Sequence, residues 1–208
     1  MRIAGNEVSR TDAHEQVRTY AKRFYNTLKY FDGVGMGRSV DDSPNEVTLA
    51  DLGRLVIINA GLEADDVPAL LDVDAEAALA AVPPNAKLEE CEPGTQLWNA
   101  ASKLYALFQL PNIGKAKRSK LLHLKRPGLI RINDSVTEAK YRKSAKEIAS
   151  KADYETEGYW EAARNDILQD EFAELMRDVA NVTVPQLGGA SLASLSAVRV
   201  LDIVCWAD

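Results

Sequence analysis

Five residues near the middle of the chain, Leu110-Pro111-Asn112-Ile113-Gly114, separate two stretches that each carry a helical pattern. Upstream, Leu97, Trp98, Ala101, Leu104, Tyr105 and Phe108 recur every three or four positions behind Thr95, a residue type that caps helix starts. Downstream, residues 115–124 continue as a helix with Lys115, Lys117, Arg118 and Lys120 in its first two turns. So short a turn forces the two helices against each other. Pro111 stops the first by disfavouring helical geometry at Leu110 and by lacking an N–H. Asn112 and Gly114 are residue types that tolerate positive φ, and Ile113 between them can turn inward and pin the pair. Residues 95–124 therefore read as one helical hairpin.

The rest of the chain has the same period. Val17, Tyr20, Ala21, Phe24, Leu28 and Phe31 predict one amphipathic helix over 11–31, capped by Thr11 or Asp12. Thr48-Leu49-Ala50-Asp51 resembles a capping box opening a helix that Gly61 can end. Short helices are expected at 67–72 and 76–82, stopped by Pro83-Pro84. Further helices follow at 136–150, as one or two segments between Tyr159 and Val179, and after Ser191 to Cys205. No period-2 run competes, so the expected fold is all-α.

Composition narrows the class. The longest apolar runs, Leu55–Ile58 and Ala77–Val82, are far short of the roughly 20 residues a membrane span needs, and the first residues show no apolar signal segment. Cys91 and Cys205 are too few and too distant for a disulfide framework or a closed thiolate metal site. The expectation is a soluble, cytoplasmic chain without metal or cofactor. Its net charge of −6 hides an asymmetry: residues 111–151 hold 12 Lys and Arg against 3 Asp and Glu. Residues 41–110 hold 3 against 13, and residues 152–208 hold 3 against 11. Salt screens charge beyond roughly 8–10 Å, so a polyanion would meet the local basic stretch rather than the total. A solvated helical face paired with the acidic segments accounts for the same asymmetry.

Past the hairpin, Pro127-Gly128-Leu129-Ile130-Arg131-Ile132 leads to Asn133-Asp134-Ser135-Val136, with Asp134 twenty residues beyond Gly114. Residues 104–139 resemble the helix-hairpin-helix DNA glycosylase superfamily, and its endonuclease III-like members in particular. There a Leu-Pro-Gly-hydrophobic-Gly hairpin precedes a catalytic Asp at about this spacing. The resemblance implies a two-lobed helical fold, with both termini in one lobe and the central helices in the other. It makes Asn112, Ile113 and Gly114 the phosphate-binding hairpin of double-stranded DNA, with Lys115, Lys117 and Lys120 beside it, and places catalytic Asp134 within the 125–150 loop and helix. A carboxylate there would stabilise the positive charge that grows on the sugar as a flipped base leaves. Ala116 stands where lyase-active members carry a lysine, which implies a glycosylase without Schiff-base strand cleavage. The four-cysteine iron–sulfur loop of many members is absent, and Asn133-Asp134-Ser135 replaces their Asp-Thr-His.

Two other readings stay open. Asp134 precedes Ser135-Val136-Thr137-Glu138, itself a capping-box pattern, so it can serve a helix start alone, in a non-catalytic DNA-binding module. The acidic total also suits a helical interaction protein with no nucleic acid. His14 and His123 sit in no metal or triad motif, and His123 is expected to be half-buried or at the surface. Gly33-Val34-Gly35-Met36-Gly37 follows a helix and lacks the Lys-Ser/Thr of a phosphate loop, so it reads as a connection. Trp98, Trp160 and Trp206 are expected in the core, with room for one exposed ring to stack on a base.

Overall fold

A computed structural model describes residues 1–36, 43–148 and 157–206. Gly37 and the last two residues of the helix expected over 136–150 lie outside them. The described residues form an all-α fold. In order it contains α1 (Arg10–Arg23), α2 (Tyr25–Tyr30), α3 (Leu49–Ile57), α4 (Asp66–Leu71), α5 (Glu76–Ala80) and α6 (Gln96–Leu107). Then come α7 (Lys115–Lys125), α8 (Ser135–Ile148), α9 (Tyr159–Ile167), α10 (Asp170–Ala180) and α11 (Ala197–Trp206). The strands are two-residue pairs: β1 (Arg2–Ile3) with β2 (Asn6–Glu7), and β3 (Thr183–Val184) with β4 (Ala190–Ser191), both antiparallel.

Helices from both ends of the chain pack together: α1 lies on α10 and α11, and α8 lies on α9 and α11. The central helices form a second set, with α3 against α2, α4 and α7, and α6 against α5 and α7. One apolar core runs through both sets, from Val17 and Ala21 through Leu55 and Leu104 to Leu201.

Local chemistry explains several boundaries. The helix expected over 11–31 starts earlier, capped by Ser9, whose hydroxyl accepts from the Asp12 N–H, and it breaks at Phe24. The break frees the Phe24 ring to pack on Tyr20 and Trp206, at 4.9 and 5.1 Å between centroids. Thr48 and Asp51 form the capping box at α3. That helix stops before Gly61, at a left-handed Asn59 (φ 49°). There the Asn59 N–H reaches Val56 O and the Ala60 N–H reaches Leu55 O, the two bonds of a Schellman ending. Ser191 caps a short turn rather than the last helix; Ser196 caps α11 by accepting from the Arg199 N–H. The segment from Tyr159 to Val179 is two helices, α9 and α10.

Candidate functional site

The hairpin turn is built by one left-handed residue. Asn112 has φ 66°, whereas Gly114 has φ −68° and serves as the extended N-cap of α7. Gly114 therefore needs no special backbone freedom, and a Cβ added there would meet no atom within 4 Å. The absent side chain leaves the first turn of α7 open to an approaching group, and no side chain caps that helix. Ile113 is buried, and its N–H is taken by Leu110 O, so it pins the hairpin and offers nothing to a ligand.

The three hairpin lysines are largely engaged within the protein. Lys117 Nζ donates to buried Asp66 at 2.6 Å and to Asn112 O at 3.3 Å, which ties α7 and the turn to α4. Burial would raise the Asp66 carboxyl, but the Lys117 bond and the Glu63 N–H outweigh it and hold the carboxyl below its usual range. Lys120 Nζ donates to Ile58 O at 3.1 Å and Asn59 O at 3.4 Å, the carbonyl end of α3. Lys115 lies 3.7 Å from Glu138. Arg118 is buried with its guanidinium 4.2 Å above the Tyr105 ring. Among the described residues of this stretch, the exposed cations are Arg142, Lys143 and Lys146 on α8.

Asp134 is held from three sides. Ser119 Oγ, on α7, accepts from the Asn133 N–H at 2.9 Å. One residue earlier, the Ile132 N–H donates to Asp202 Oδ2 of α11 at 2.8 Å, and Asp202 Oδ1 takes Arg131 Nη2 at 3.1 Å. Burial pushes the Asp202 carboxyl up to about 6 against the opposing charge of Arg131. Asp134 Oδ1 accepts from the N–H groups of Val136 and Thr137 at 3.1 and 3.0 Å, so Asp134, not Ser135, caps α8. The capping box is closed by the Asp134 N–H donating to Thr137 Oγ1. Among the described residues, Oδ2 takes no hydrogen bond and is the atom left for a ligand.

Asp134 also lines a cavity of about 290 Å³ where the two helix sets meet. Tyr20 and Phe24 of the α1 end and Trp206 of α11 form its aromatic wall; Ile57, Ile58 and Asn59 come from the end of α3, and Lys120 from α7. Trp206 meets Phe24 and Tyr20 edge to face, at 5.1 and 6.1 Å. Trp98 and Trp160 are buried, as expected, while Trp206 is 40% exposed. Burial lowers the Lys120 ammonium below its ordinary value, with the Arg199 charge adding and the Asp134 charge opposing. Sequence reasoning finds Asp134 and Lys120 but misses the aromatic wall, because its rings lie near opposite ends of the chain.

Arg199 stands between this cavity and a second one of about 310 Å³. Its Nε and Nη2 donate to Asp32 at 2.7 and 3.1 Å, and Nη2 reaches Tyr20 Oη at 2.9 Å. His123 lines that second cavity and is buried, contrary to expectation, stacked on Phe31 at 5.9 Å. Its Nδ1 lies 2.7 Å from Ile130 O, which can only accept, so Nδ1 carries the hydrogen. Burial, helped by the Arg199 charge, pushes His123 down to about 3. A further hollow, about 540 Å³, is an open depression bordered by Ser43–Val47, Leu71 and residues 73–76, with carboxylates as its charged groups. Among the described residues no group of His, Cys, Asp and Glu could hold a metal ion, and no helix is long and apolar enough to cross a membrane.

Residues 13–208 match the model of the Family of unknown function (DUF6308). The chain belongs to that family. No curated protein and no solved structure matches it. In this DUF6308 chain the candidate site consists of an aromatic cavity and a carboxylate with one oxygen to spare, with Lys120 of α7 in the cavity wall.

Proposed function

We propose that the protein binds double-stranded DNA and removes a damaged or modified base as an N-glycosylase without strand-cleaving activity. The observation that carries this reading is the placement of Asp134. It stands in the wall of a cavity with Tyr20, Phe24 and Trp206, a volume and lining suited to one planar base. Aromatic faces hold a base by stacking, and a carboxylate beside its sugar stabilises the developing oxocarbenium ion and orients water. Capping and catalysis do not compete, since the cap uses Oδ1 and leaves Oδ2.

The phosphate-binding groups are redistributed from those the hairpin suggests. The open first turn of α7 at Gly114 takes one phosphate through backbone N–H groups. Arg142, Lys143 and Lys146 supply the long-range attraction, because Lys117 and Lys120 are engaged inside the protein.

Incubation with duplexes carrying single modified bases tests the reading through release of free base. The expected result is release by the wild type and a loss of at least about 100-fold in Asp134→Asn. Asparagine is an equally good helix cap, so the variant should keep its stability and its duplex binding. The rival is a DNA-binding module in which Asp134 is only a cap; the use of Oδ1 by α8 favours it, and absence of base release across the whole panel would establish it.

A further inference from the structure

We infer that the second cavity, on the far side of Arg199 from Asp134, binds a small uncharged ring compound carrying an N–H donor and a carbonyl acceptor, of which a cyclic amide is the simplest kind. The inference does not depend on any action on DNA.

The cavity has the size and lining of a small-molecule site. Its volume of about 310 Å³ lies at the lower end of the range such sites occupy, about 300–1,000 Å³. Phe31, Leu124, Leu195 and the prolines 44, 84 and 127 give it apolar walls. Such walls favour a compact ring. What selects among rings is the small set of polar atoms left without a partner.

His123 is buried and lines the cavity. Its Nδ1–H is spent on Ile130 O, so Nε2 carries a lone pair and accepts from nothing among the described residues. Burial keeps the ring neutral, so that lone pair is not lost to a proton. A buried acceptor left unmade is costly, and in native proteins such a group asks for a reason. Arg199 supplies the matching donor. Its Nε and Nη2 are held by Asp32 and Tyr20, which fixes the guanidinium, while Nη1 makes no hydrogen bond among the described residues. The Arg199 charge is felt at His123, adding to the effect of burial there, so the two groups are neighbours.

Together they define the occupant. The Nε2 lone pair repels an anion and the guanidinium repels a cation, so the ligand is neutral. The remaining charges at the border are already engaged: Lys125 with Asp51 at 2.6 Å, and Arg54 with Phe31 O at 2.9 Å. An N–H given to His123 and a carbonyl offered to Arg199 satisfy both spare valences at once. A cyclic amide has these two groups on one edge and an apolar ring behind them.

The probe is 2-pyridone, with N-methyl-2-pyridone as the control that keeps the ring and carbonyl but lacks the donor. Long-range 1H–15N spectra of the labelled protein report each imidazole nitrogen separately. Titration with 2-pyridone should shift His123 Nε2 saturably, leaving His14 unmoved. The N-methyl compound should bind about tenfold more weakly, the worth of one hydrogen bond. In His123→Asn the side-chain amide can still reach Ile130 O, but the Nε2 acceptor is gone. Backbone amide shifts around the cavity should then show both probes binding alike, with a thermal melt to confirm folding. Equal affinity of the wild type for the two probes would overturn the inference. So would an unmoved Nε2 at the solubility limit of 2-pyridone, or a preference for it that survives in His123→Asn. If the variant fails to fold, the Nε2 shift and the probe pair still decide on the wild type alone.

Discussion

The two ends of α7 use the same kind of residue in opposite ways. At its start, Gly114 is open, Lys115 is partly exposed, and no side chain caps the free N–H groups. At its end every side chain from Leu121 to Arg126 is buried, His123, Lys125 and Arg126 included. Lys125 pairs with Asp51 at 2.6 Å, with neither side chain accessible. Arg126 donates to the carbonyls of Val82, Leu79 and Pro44 and to Asn45 Oδ1. Lys117 and Lys120, between the two ends, bind α4 and the end of α3. Much of this basic stretch is therefore internal stitching, and among its described residues the fully exposed cations are Arg142, Lys143 and Lys146 on the outer face of α8.

That contrast predicts where substitutions act on stability and where on binding. Lys125→Met removes one partner of a buried ion pair and should cost about 3–5 kcal/mol, read as a lower urea midpoint. Lys117→Met should cost less, because its side chain is partly exposed and Asp66 keeps the Glu63 N–H. A cost for Lys125→Met no larger than that of an exposed lysine would break the comparison.

His123 sharpens it through pH. The folded-state value is depressed to about 3 from an ordinary 6.5, so the unfolded chain binds the extra proton between those limits. Its contribution is complete above about pH 6.5 and is lost as pH falls toward 3, by up to about 1.4 kcal/mol per unit. The advantage of the wild type over His123→Asn should therefore shrink on acidification. Asp202, raised to about 6, acts with the opposite sign between about pH 4 and 6, but it is common to both proteins and drops out of the difference.

On the surface side, replacing Arg142, Lys143 and Lys146 together with Gln should make the slope of log affinity against log salt shallower, by about 0.9 for each phosphate these side chains neutralise. Lys143 should contribute little to thermal stability, since its pair with Glu147 at 3.9 Å is exposed. The smallest effect on stability near the hairpin is expected for Gly114→Ala, about 0.5–1 kcal/mol for a poorer cap. Duplex binding should suffer more, because the new methyl group fills the space a phosphate would take. Equal losses in both measurements would remove Gly114 from the interface.

These residues also show what a sequence discloses and what it withholds. The hairpin, the capping box at Thr48 and Asp51 and the cap at Thr95 were legible, because each is made by residues within four positions of one another. The break at Phe24 was not, since the apolar period runs through it and only Trp206, on the last helix, explains the turn. The lysines of α7 follow the same rule: their charge is a local property, but Asp66 and Asp51, the partners of Lys117 and Lys125, are more than fifty positions away. The spacing from Gly114 drew attention to Asp134, yet the sequence had no means of showing that Ser119 and Asp202 hold the segment before it from two different helices.

The engagement of these lysines has a consequence for their chemistry as nucleophiles. An acylating reagent reacts with an accessible, deprotonated amine, so labelling should follow the architecture rather than the sequence order. Lys143, 88% exposed, should be modified early. Lys117 should lag behind it, and Lys125 should stay untouched until the chain unfolds. A time course of acylation read by mass spectrometry would thus separate the amines that hold the fold together from those that face outward, with no nucleic acid in the tube.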